Sequence, residues 1–245
     1  MTDTPVCIDI SHWQGSPDFA KVKAAGVIAC IMKASEGTDY VDPSWKKNFV
    51  AATAAGIACA TYHWLKHGNA AAQIAFYLKN IDAVPGERVI IDYEEPGVTI
   101  ADLHEAVQAL LADPRKLQVT VYSGNVLKEQ LGYTRDALLA ENTDLWLAQY
   151  TTGTPSWPHG TYAHWALWQY SESGRVDGIA GSTVDLNRFD GSNENLLKWI
   201  GPATTPVEAE QTASKLPVSI TLTIPDRVAL AITVNGKIIA WETGP

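Results

Sequence analysis

The sequence lacks a surplus of positive charge and any long hydrophobic run. Its 245 residues include 18 lysines and arginines against 27 aspartates and glutamates, which gives a net charge of −9. A chain this acidic is a poor candidate for neutralising phosphates, so neither nucleic acid nor an anionic membrane surface is an expected partner. No apolar run is long enough to span a bilayer, which predicts that the protein does not insert into membranes.

Cysteine and histidine are too few and too scattered for a disulfide framework or a metal site. Cys7, Cys30 and Cys59 each lie in an apolar run without Cys-x-x-Cys spacing, which predicts buried core thiols. The six histidines show no ligand spacing, and the HExxH, GxSxG and glycine-rich phosphate-loop motifs are absent. The sequence therefore predicts neither a metal nor a cofactor.

The amino-terminal residues bear on where the protein is made. They contain no basic segment followed by a hydrophobic stretch, so no signal peptide is expected. We expect synthesis in the cytoplasm, and a protein acting outside the cell would then need another route of release.

Short apolar runs alternate with amphipathic stretches through most of the chain, and 46% of the residues are hydrophobic. Candidate strands are residues 6–10, 27–33, 57–64, 89–93, 119–122, 146–150, 165–169 and 183–187. Candidate helices are residues 18–25, 43–55, 70–81 and 100–111, with a less regular one at 125–139. This alternation predicts an α/β fold with a parallel sheet, and eight strands in about 200 residues favour a closed barrel. After residue 140 the gaps are too short for full helices, so the last three units should be irregular.

The carboxy-terminal part differs in composition from the rest. We expect the barrel to occupy residues 1–200 and a linker rich in Pro, Thr, Ala and Glu to occupy residues 201–217. Residues 218–245 should form a small three-stranded β segment with strands at 218–224, 228–234 and 237–242. Asn235-Gly236 supplies the turn signal between the last two strands. Binding to a cell wall, self-association and a purely structural role all remain open for this segment.

In a barrel of this class, functional side chains lie at the carboxyl ends of the strands. Four carboxylates, Asp9, Asp92, Glu94 and Asp185, occur at such ends. Asp92 and Glu94 are two residues apart and should project from the same face. Two acids in one apolar-walled cleft raise the pKa of one of them, so that it can donate a proton near neutral pH. Paired carboxyl groups of this kind are typical of glycoside hydrolysis.

Aromatic residues lie close to these acids in the predicted barrel. Flat rings with a polar edge suit the apolar faces of sugars, and rings near strand ends are Trp64, Tyr122, Tyr150, Trp168 and Tyr170. Simpler interpretations remain open, since any of these rings could be ordinary core. Asp9 could cap a helix, Asp185 could pair with Arg188, and His63 fits a hydrogen-bonded structural histidine better than a catalyst.

Six short motifs, in order, resemble those of the family 25 glycoside hydrolases, the Chalaropsis-type lysozymes. They are DISHWQG at residues 9–15, IMKASEG at 31–37, YHW at 62–64, DYE at 92–94, WQY at 168–170 and VDLN at 184–187. The resemblance covers residues 5 to 200 and stops before the carboxy-terminal segment.

The resemblance implies an irregular TIM-like (β/α)5(β)3 barrel and muramidase activity on peptidoglycan. It implies that Glu94 is the general acid and that Asp92 polarises its surroundings or supports a substrate N-acetyl group. Asp9 and Asp185 would position substrate or water. The implied sugar contacts are Lys33, Tyr62, Trp64, Tyr122, Tyr150, Trp168 and Gln169. A chain without a signal peptide is also typical of phage endolysins, which rely on a holin for release to the wall.

Two other interpretations stay open at this point. The domain could be a catalytically silent module that binds peptidoglycan, although binding alone does not require an acidic pair. It could also be a glycosidase for chitin-like polymers, although those enzymes usually space their strand-four acids more widely than the DYE at residues 92–94.

Overall fold

The computed structural model describes residues 7–181 and 183–201, and the backbone of residues 231–234 and 237–240. The chain divides into two compact units, Met1–Ala209 and Glu210–Pro245. Most of the expected linker, the strand expected at residues 218–224 and the Asn235-Gly236 turn lie outside the described residues.

Eight strands of the first unit form a barrel, and one short strand extends it. In chain order, with the short strand as β3, they are β1 Cys7–Ile10, β2 Ala29–Glu36, β3 Tyr40–Val41, β4 Ala58–Trp64, β5 Arg88–Asp92, β6 Gln118–Ser123, β7 Thr143–Ala148, β8 Leu167–Gly174 and β9 Val184–Phe189. In the second unit, β10 (Ala231–Val234) pairs antiparallel with β11 (Lys237–Ala240).

The barrel closes in the order β1-β2-β4-β5-β6-β7-β8-β9, with β9 returning to β1. The pairs from β1 to β8 are parallel, which confirms the predicted closed α/β barrel. The expectation of an entirely parallel sheet is wrong for β9, which runs antiparallel to both β8 and β1. Only residues 175–183 join β8 to β9, and a parallel crossover needs about a dozen residues or more.

Seven helices are described around the strands. They are α1 Phe19–Ala24, α2 Trp45–Ala54, α3 Ala70–Ile81, α4 Ile100–Leu111, α5 Asn125–Leu131, α6 Ala137–Asn142 and α7 Asn193–Ile200. A single turn of 3-10 helix, His12–Gln14, follows β1. None of the described helices is both long and apolar enough to cross a membrane.

Capping residues and glycines explain where the observed helices agree with the predicted bounds and where they differ. Both α3 and α4 have the expected bounds, and α4 starts at a capping box formed by Thr99 and Asp102. The single helix expected at residues 125–139 is wrong. Gly132, at a φ of 53°, ends α5, and the Asp136 side chain starts α6 by accepting a hydrogen bond from the Leu139 N–H.

The core has two parts, one between the barrel and its helices and one inside the barrel. The inner part includes Leu196 and Ile200 of α7, packed with Cys7 and other residues of the barrel interior. All three cysteines are buried and free, which confirms the prediction of core thiols.

Helix α7 closes the end of the barrel where the parallel strands begin. Arg88, the first residue of β5, donates from Nε to the Trp199 carbonyl oxygen at 2.5 Å and stacks on the Trp199 ring at 4.0 Å. Trp199 Nε1 in turn donates to Asp144 Oδ2 near the start of β7 at 2.8 Å. The opposite end, where the parallel strands finish, is therefore the one left for a binding site.

Candidate active site

An open cavity of about 350 Å³ lies at the carboxyl ends of the parallel strands. All of the predicted site residues except Trp168 line it. Its lining consists of Asp9, Ser11, His12, Trp13, Lys33, Tyr62, Trp64, Asp92, Glu94, Tyr122, Trp146, Tyr150, Gln169, Glu172 and Asp185.

The Asp92-Tyr93-Glu94 segment leaves β5 with the alternation expected of a strand. Asp92 and Glu94 both face the cavity. Tyr93 points the other way, into the layer between barrel and helices, where its hydroxyl donates to Gln130 Oε1 at 2.6 Å. The period of two therefore brings the two carboxyl groups together, as the sequence predicted.

Burial and mutual repulsion perturb this acidic pair. Asp92 is only 3% exposed, and its Oδ1 has no hydrogen-bond partner among the described residues. Burial and the neighbouring Glu94 raise the pKa of Asp92 well above its usual range. Burial also raises the pKa of Glu94, and the charge of Asp185 adds to that shift. Both shifts favour the protonated forms, so the pair holds a proton to higher pH than isolated carboxyl groups do, and the half-buried Glu94 can present it to a ligand.

A second acidic pair forms across the seam between β1 and β9. Asp9 and Asp185 lie directly opposite each other in the antiparallel register, and their carboxyl groups share a hydrogen bond. Burial and the charge of Asp185 raise the pKa of Asp9, and burial raises that of Asp185. Asp9 is not a helix cap, since Ser11 caps the turn that follows β1.

Amide side chains hold Asp9 in place. Gln169 Nε2 lies 3.1 Å from both carboxylate oxygens of Asp9, and Asn187 Nδ2 donates to Asp9 Oδ2 at 2.7 Å. The Oε1 atom of Gln169 accepts hydrogen bonds from the hydroxyls of Tyr122 at 2.8 Å and Tyr150 at 2.9 Å. One buried amide therefore ties an acid to two aromatic rings of the cavity wall.

Lys33 supplies the positive charge nearest to the acids. Its Nζ lies 2.6 Å from Glu36 Oε2 and 4.8 Å from the centre of the Trp64 ring. The Lys33 charge counteracts the rise in the pKa of both Asp92 and Glu94. This lysine therefore limits how tightly the acidic pair holds its proton.

Trp168 lies outside the cavity, contrary to the prediction. Its Nε1 donates to the Gln149 carbonyl oxygen at 2.8 Å, and its ring lies 5.8 Å from that of Trp165. The reason is the alternation along β8, where Gln169 faces inward and its neighbour Trp168 must face the helix layer.

His63 is structural, as predicted. It is buried beneath the rim, where Nδ1 lies 2.9 Å from Ser35 Oγ and Nε2 lies 3.4 Å from Gln73 Oε1. Burial lowers the pKa of His63 to about 4. The imidazole is therefore neutral near pH 7 and does not line the cavity.

Some cavity residues were not predicted as site residues. They are Ser11, His12, Trp13, Trp146 and Glu172. Trp146 lies opposite Tyr122 in the register of β6 and β7, a pairing that only the assembled sheet shows. Glu172 follows a shift in the register of β8. The alternation of two residues is interrupted there, so the sequence does not indicate which face of the strand Glu172 occupies. Within the described residues, no group of three or more His, Cys, Asp or Glu side chains is arranged to hold a metal ion.

Comparisons with known proteins agree with this site. The family model "Glycosyl hydrolases family 25" matches residues 8–179. Lysozyme M1 of Streptomyces globisporus is 30% identical over 210 residues, which cover 78% of this chain and 69% of that protein. The autolytic lysozyme of Clostridium acetobutylicum is 31% identical over 193 residues, covering 74% and 55%. The crystal structure of a bacterial lysozyme from Streptomyces coelicolor superimposes with a TM-score of 0.71 at 27% identity, covering 83% of this chain and all of that one.

Proposed function

The chain belongs to the glycosyl hydrolases of family 25, and we propose on that premise that it is a muramidase acting on bacterial peptidoglycan. It cleaves the β-1,4 bond between N-acetylmuramic acid and N-acetylglucosamine. The observation that carries this proposal is the Asp92–Glu94 pair, two adjacent carboxyl groups with raised pKa values in a cavity lined by aromatic rings.

Glu94 is the proposed general acid. Its raised pKa favours the protonated carboxyl group that a general acid needs, and its partial exposure lets it reach the glycosidic oxygen. When that proton leaves, the Glu94 carboxylate lies beside the Asp92 carboxyl group, and burial disfavours a negative charge on either of them. Lys33 reduces the cost of this state, because its charge favours the ionised form of both carboxyl groups.

Asp92 is proposed to bind the N-acetyl group of the sugar next to the cleaved bond. Asp92 lines the cavity, and its Oδ1 is buried and lacks a partner among the described residues. Such an oxygen carries an energetic penalty until a donor reaches it, and the acetamido N–H is a donor of the right kind. Binding that N–H would orient the acetamido carbonyl beside the reacting carbon.

The pair Asp9–Asp185 is proposed to position substrate or water. In the closed barrel, β5 and β9 are four strands apart in either direction. Asp185 therefore faces Glu94 across the mouth of the cavity, and its charge raises the pKa of Glu94. A glycan strand lying between the two pairs would have acids on both sides of the reacting bond.

The test is digestion of purified peptidoglycan by wild type, Glu94→Gln and the control Glu141→Gln, an exposed glutamate on α6. New reducing ends are reduced with borohydride and identified by mass spectrometry. We expect muramitol ends from wild type and the control, and none from Glu94→Gln. Glucosaminitol ends would indicate a different bond of the same polymer. If no protein produces ends while all bind the wall, a silent binding module would replace the muramidase.

Cleavage of chitin oligosaccharides at a rate comparable to peptidoglycan would favour the chitin-type alternative. We expect peptidoglycan to be the better substrate, since the chain and its lysozyme relatives share most of the catalytic unit. We also propose that the protein acts at the bacterial cell wall, where this polymer occurs, and release after cytoplasmic synthesis stays a prediction.

Self-association through the carboxy-terminal unit is part of the proposal. Its described strands β10 and β11 pair antiparallel, and a small unit of short strands gains stability when further strands extend its sheet. Pairing with another copy would add strands. Sedimentation velocity of the full chain over a wide concentration range tests this, and a monomer at every concentration would contradict it.

A further inference from the structure

Trp13 stands at the outer rim of the cavity. It lines the cavity and is nevertheless 77% exposed. Asp9 and Asp92 at the base, by comparison, are only 5% and 3% exposed. A single exposed aromatic residue is common on protein surfaces. What distinguishes Trp13 is the way in which its side chain is held.

The turn that carries Trp13 is anchored on both sides. Ser11 and Gln14 form a capping box around it, in which the Ser11 N–H donates to Gln14 Oε1 at 2.9 Å. Gln14 Nε2 also donates to the carbonyl oxygen of Thr183 at 2.9 Å, just before β9. Asn48 Nδ2 donates to the Gly15 carbonyl oxygen at 2.9 Å. The backbone beneath the indole is therefore fixed to α2 and to the start of β9.

The indole is also supported from behind. The His12 ring lies against it, with ring centres 4.6 Å apart and planes inclined by 35°. His12 is itself held by Asp42, whose Oδ2 accepts from the His12 N–H at 2.9 Å and lies 3.1 Å from Nδ1. Asp42 is buried and its Oδ1 accepts two hydrogen bonds from Ser44. This chain of contacts limits the freedom of the ring before any ligand arrives.

The barrel order places Trp13 beside the path of a bound glycan. A line from Glu94 on β5 to Asp185 on β9 divides the cavity into two flanks. The flank of β1, β2 and β4 carries Trp13 and Trp64, and the flank of β6, β7 and β8 carries Tyr122 and Tyr150. A glycan strand that lies between Glu94 and Asp185 would therefore meet aromatic rings on both sides of the cleaved bond.

We propose that Trp13 is the stacking platform for a sugar ring outside the pair joined by the cleaved bond. This inference rests on the proposed function. The apolar C–H face of a pyranose suits the face of an indole, and a ring that is already fixed loses little entropy on binding. Because Trp13 lies at the rim and not at the base, it contributes to the binding of long glycan strands and leaves the chemical step unchanged.

The binding of glycan strands to Glu94→Gln variants tests the role of Trp13, because these proteins should bind the strands without cleaving them. The probe is a set of soluble, uncross-linked glycan strands, either disaccharides or longer oligosaccharides, measured by isothermal titration calorimetry. We expect Trp13→Ala to weaken binding of the longer strands about tenfold, Trp13→Phe to retain most of it, and disaccharide binding to stay unchanged. Tyr133→Ala is the matched control, since Tyr133 is 91% exposed and does not line the cavity.

Kinetics with the active protein complete the test. Trp13→Ala should raise KM for long strands with kcat unchanged, and its thermal unfolding should match wild type because the ring is mostly exposed. If Trp13→Ala left both the affinity and the KM for long strands unchanged, the proposed role of Trp13 would be wrong. A loss of kcat alone would also contradict it. If wild type released no reducing ends while binding still depended on Trp13, the proposed function would fail and the platform would stand.

Discussion

Replacement of Gln169 is the sharpest test of how the site is held together. Gln169 is 2% exposed, and its amide joins Asp9 to the hydroxyls of Tyr122 and Tyr150. Gln169→Leu removes both the donor and the acceptor at nearly the same volume. Gln169→Glu keeps an acceptor for the two tyrosine hydroxyls. It replaces the amide N–H that contacts Asp9 with a carboxyl oxygen.

The size of each effect follows from these contacts. Losing a hydrogen bond to a charged group costs about 1.5–3 kcal/mol, and leaving a buried hydroxyl without an acceptor costs about 1–3 kcal/mol more. Asp9 keeps Asn187 as a donor, and the half-exposed Tyr150 can turn to water. We therefore expect Gln169→Leu to lower the free energy of unfolding by about 3–5 kcal/mol, a large share of the stability of a typical domain.

The glutamate variant adds a pH dependence with a definite sign. Burial and the nearby Asp9 would raise the folded-state pKa of a carboxyl group at position 169 above its unfolded value of about 4.3. Such a group loses stability as the pH rises toward its folded pKa, and below pH 4 it is protonated in both states. Protonated, it can donate to Asp9 as Gln169 does. The deficit of Gln169→Glu relative to wild type should therefore be large at pH 7 and small at pH 4.

Urea unfolding of the variants and wild type at both pH values measures these differences. Gln108→Leu, an exposed glutamine on α4, is the control for adding an apolar side chain. Comparison with wild type at each pH cancels the titration of carboxyl groups that lie away from position 169. A Gln169→Leu protein within about 1 kcal/mol of wild type would refute the reasoning, as would a Gln169→Glu deficit that does not shrink at pH 4.

Three further predictions concern other parts of the first unit. Lys33→Met should raise the pKa of Glu94, so that the alkaline limb of the pH–activity profile moves to higher pH; a shift to lower pH would contradict the proposed electrostatics. Although burial opposes it, hydrogen bonds from Thr99, His67 and Gly68 lower the pKa of Asp102 to about 2. The destabilisation by Asp102→Ala in urea should therefore be full above pH 4 and fade toward pH 2, and a constant difference would argue against it. Leu196→Ala, in the inner core beneath α7, should cost about 2–5 kcal/mol by thermal or urea unfolding, and a smaller loss would mean that α7 does not seal the barrel.

Short-range patterns were sufficient for much of the fold and the acidic pair. The bounds of α3 and α4 follow from apolar periodicity, and Asp92 and Glu94 share a face because a strand alternates every two residues. Where a run is apolar on both faces, however, the pattern does not reveal which face is inward. The position of Trp168 near a strand end and in the WQY motif predicts a sugar contact, but neither feature shows which face it occupies, and its neighbour Gln169 lines the cavity instead.

Contacts between distant segments could not be predicted. The turn that carries Trp13 is held by Asp42, which precedes α2, and by Asn48, which lies on α2. Gln169 reaches Asp9 only when β9 pairs with both β8 and β1 and so brings these two strands close together. Such contacts depend on the closure of the barrel, and no local sequence signal specifies it.

The reversal of β9 connects the site to the closed end of the barrel. Asp185 was expected at the carboxyl end of a parallel strand, but it is the second residue of β9 (Val184–Phe189). A parallel β9 would have placed Asp185 near the end that α7 closes. Because β9 runs the other way, its first residues lie at the open rim, where Asp185 meets Asp9. The same reversal brings Phe189 to the opposite end, where its ring packs 5.6 Å from Trp199 of α7. One short connection between β8 and β9 therefore both completes the acidic centre and delivers the helix that seals the barrel.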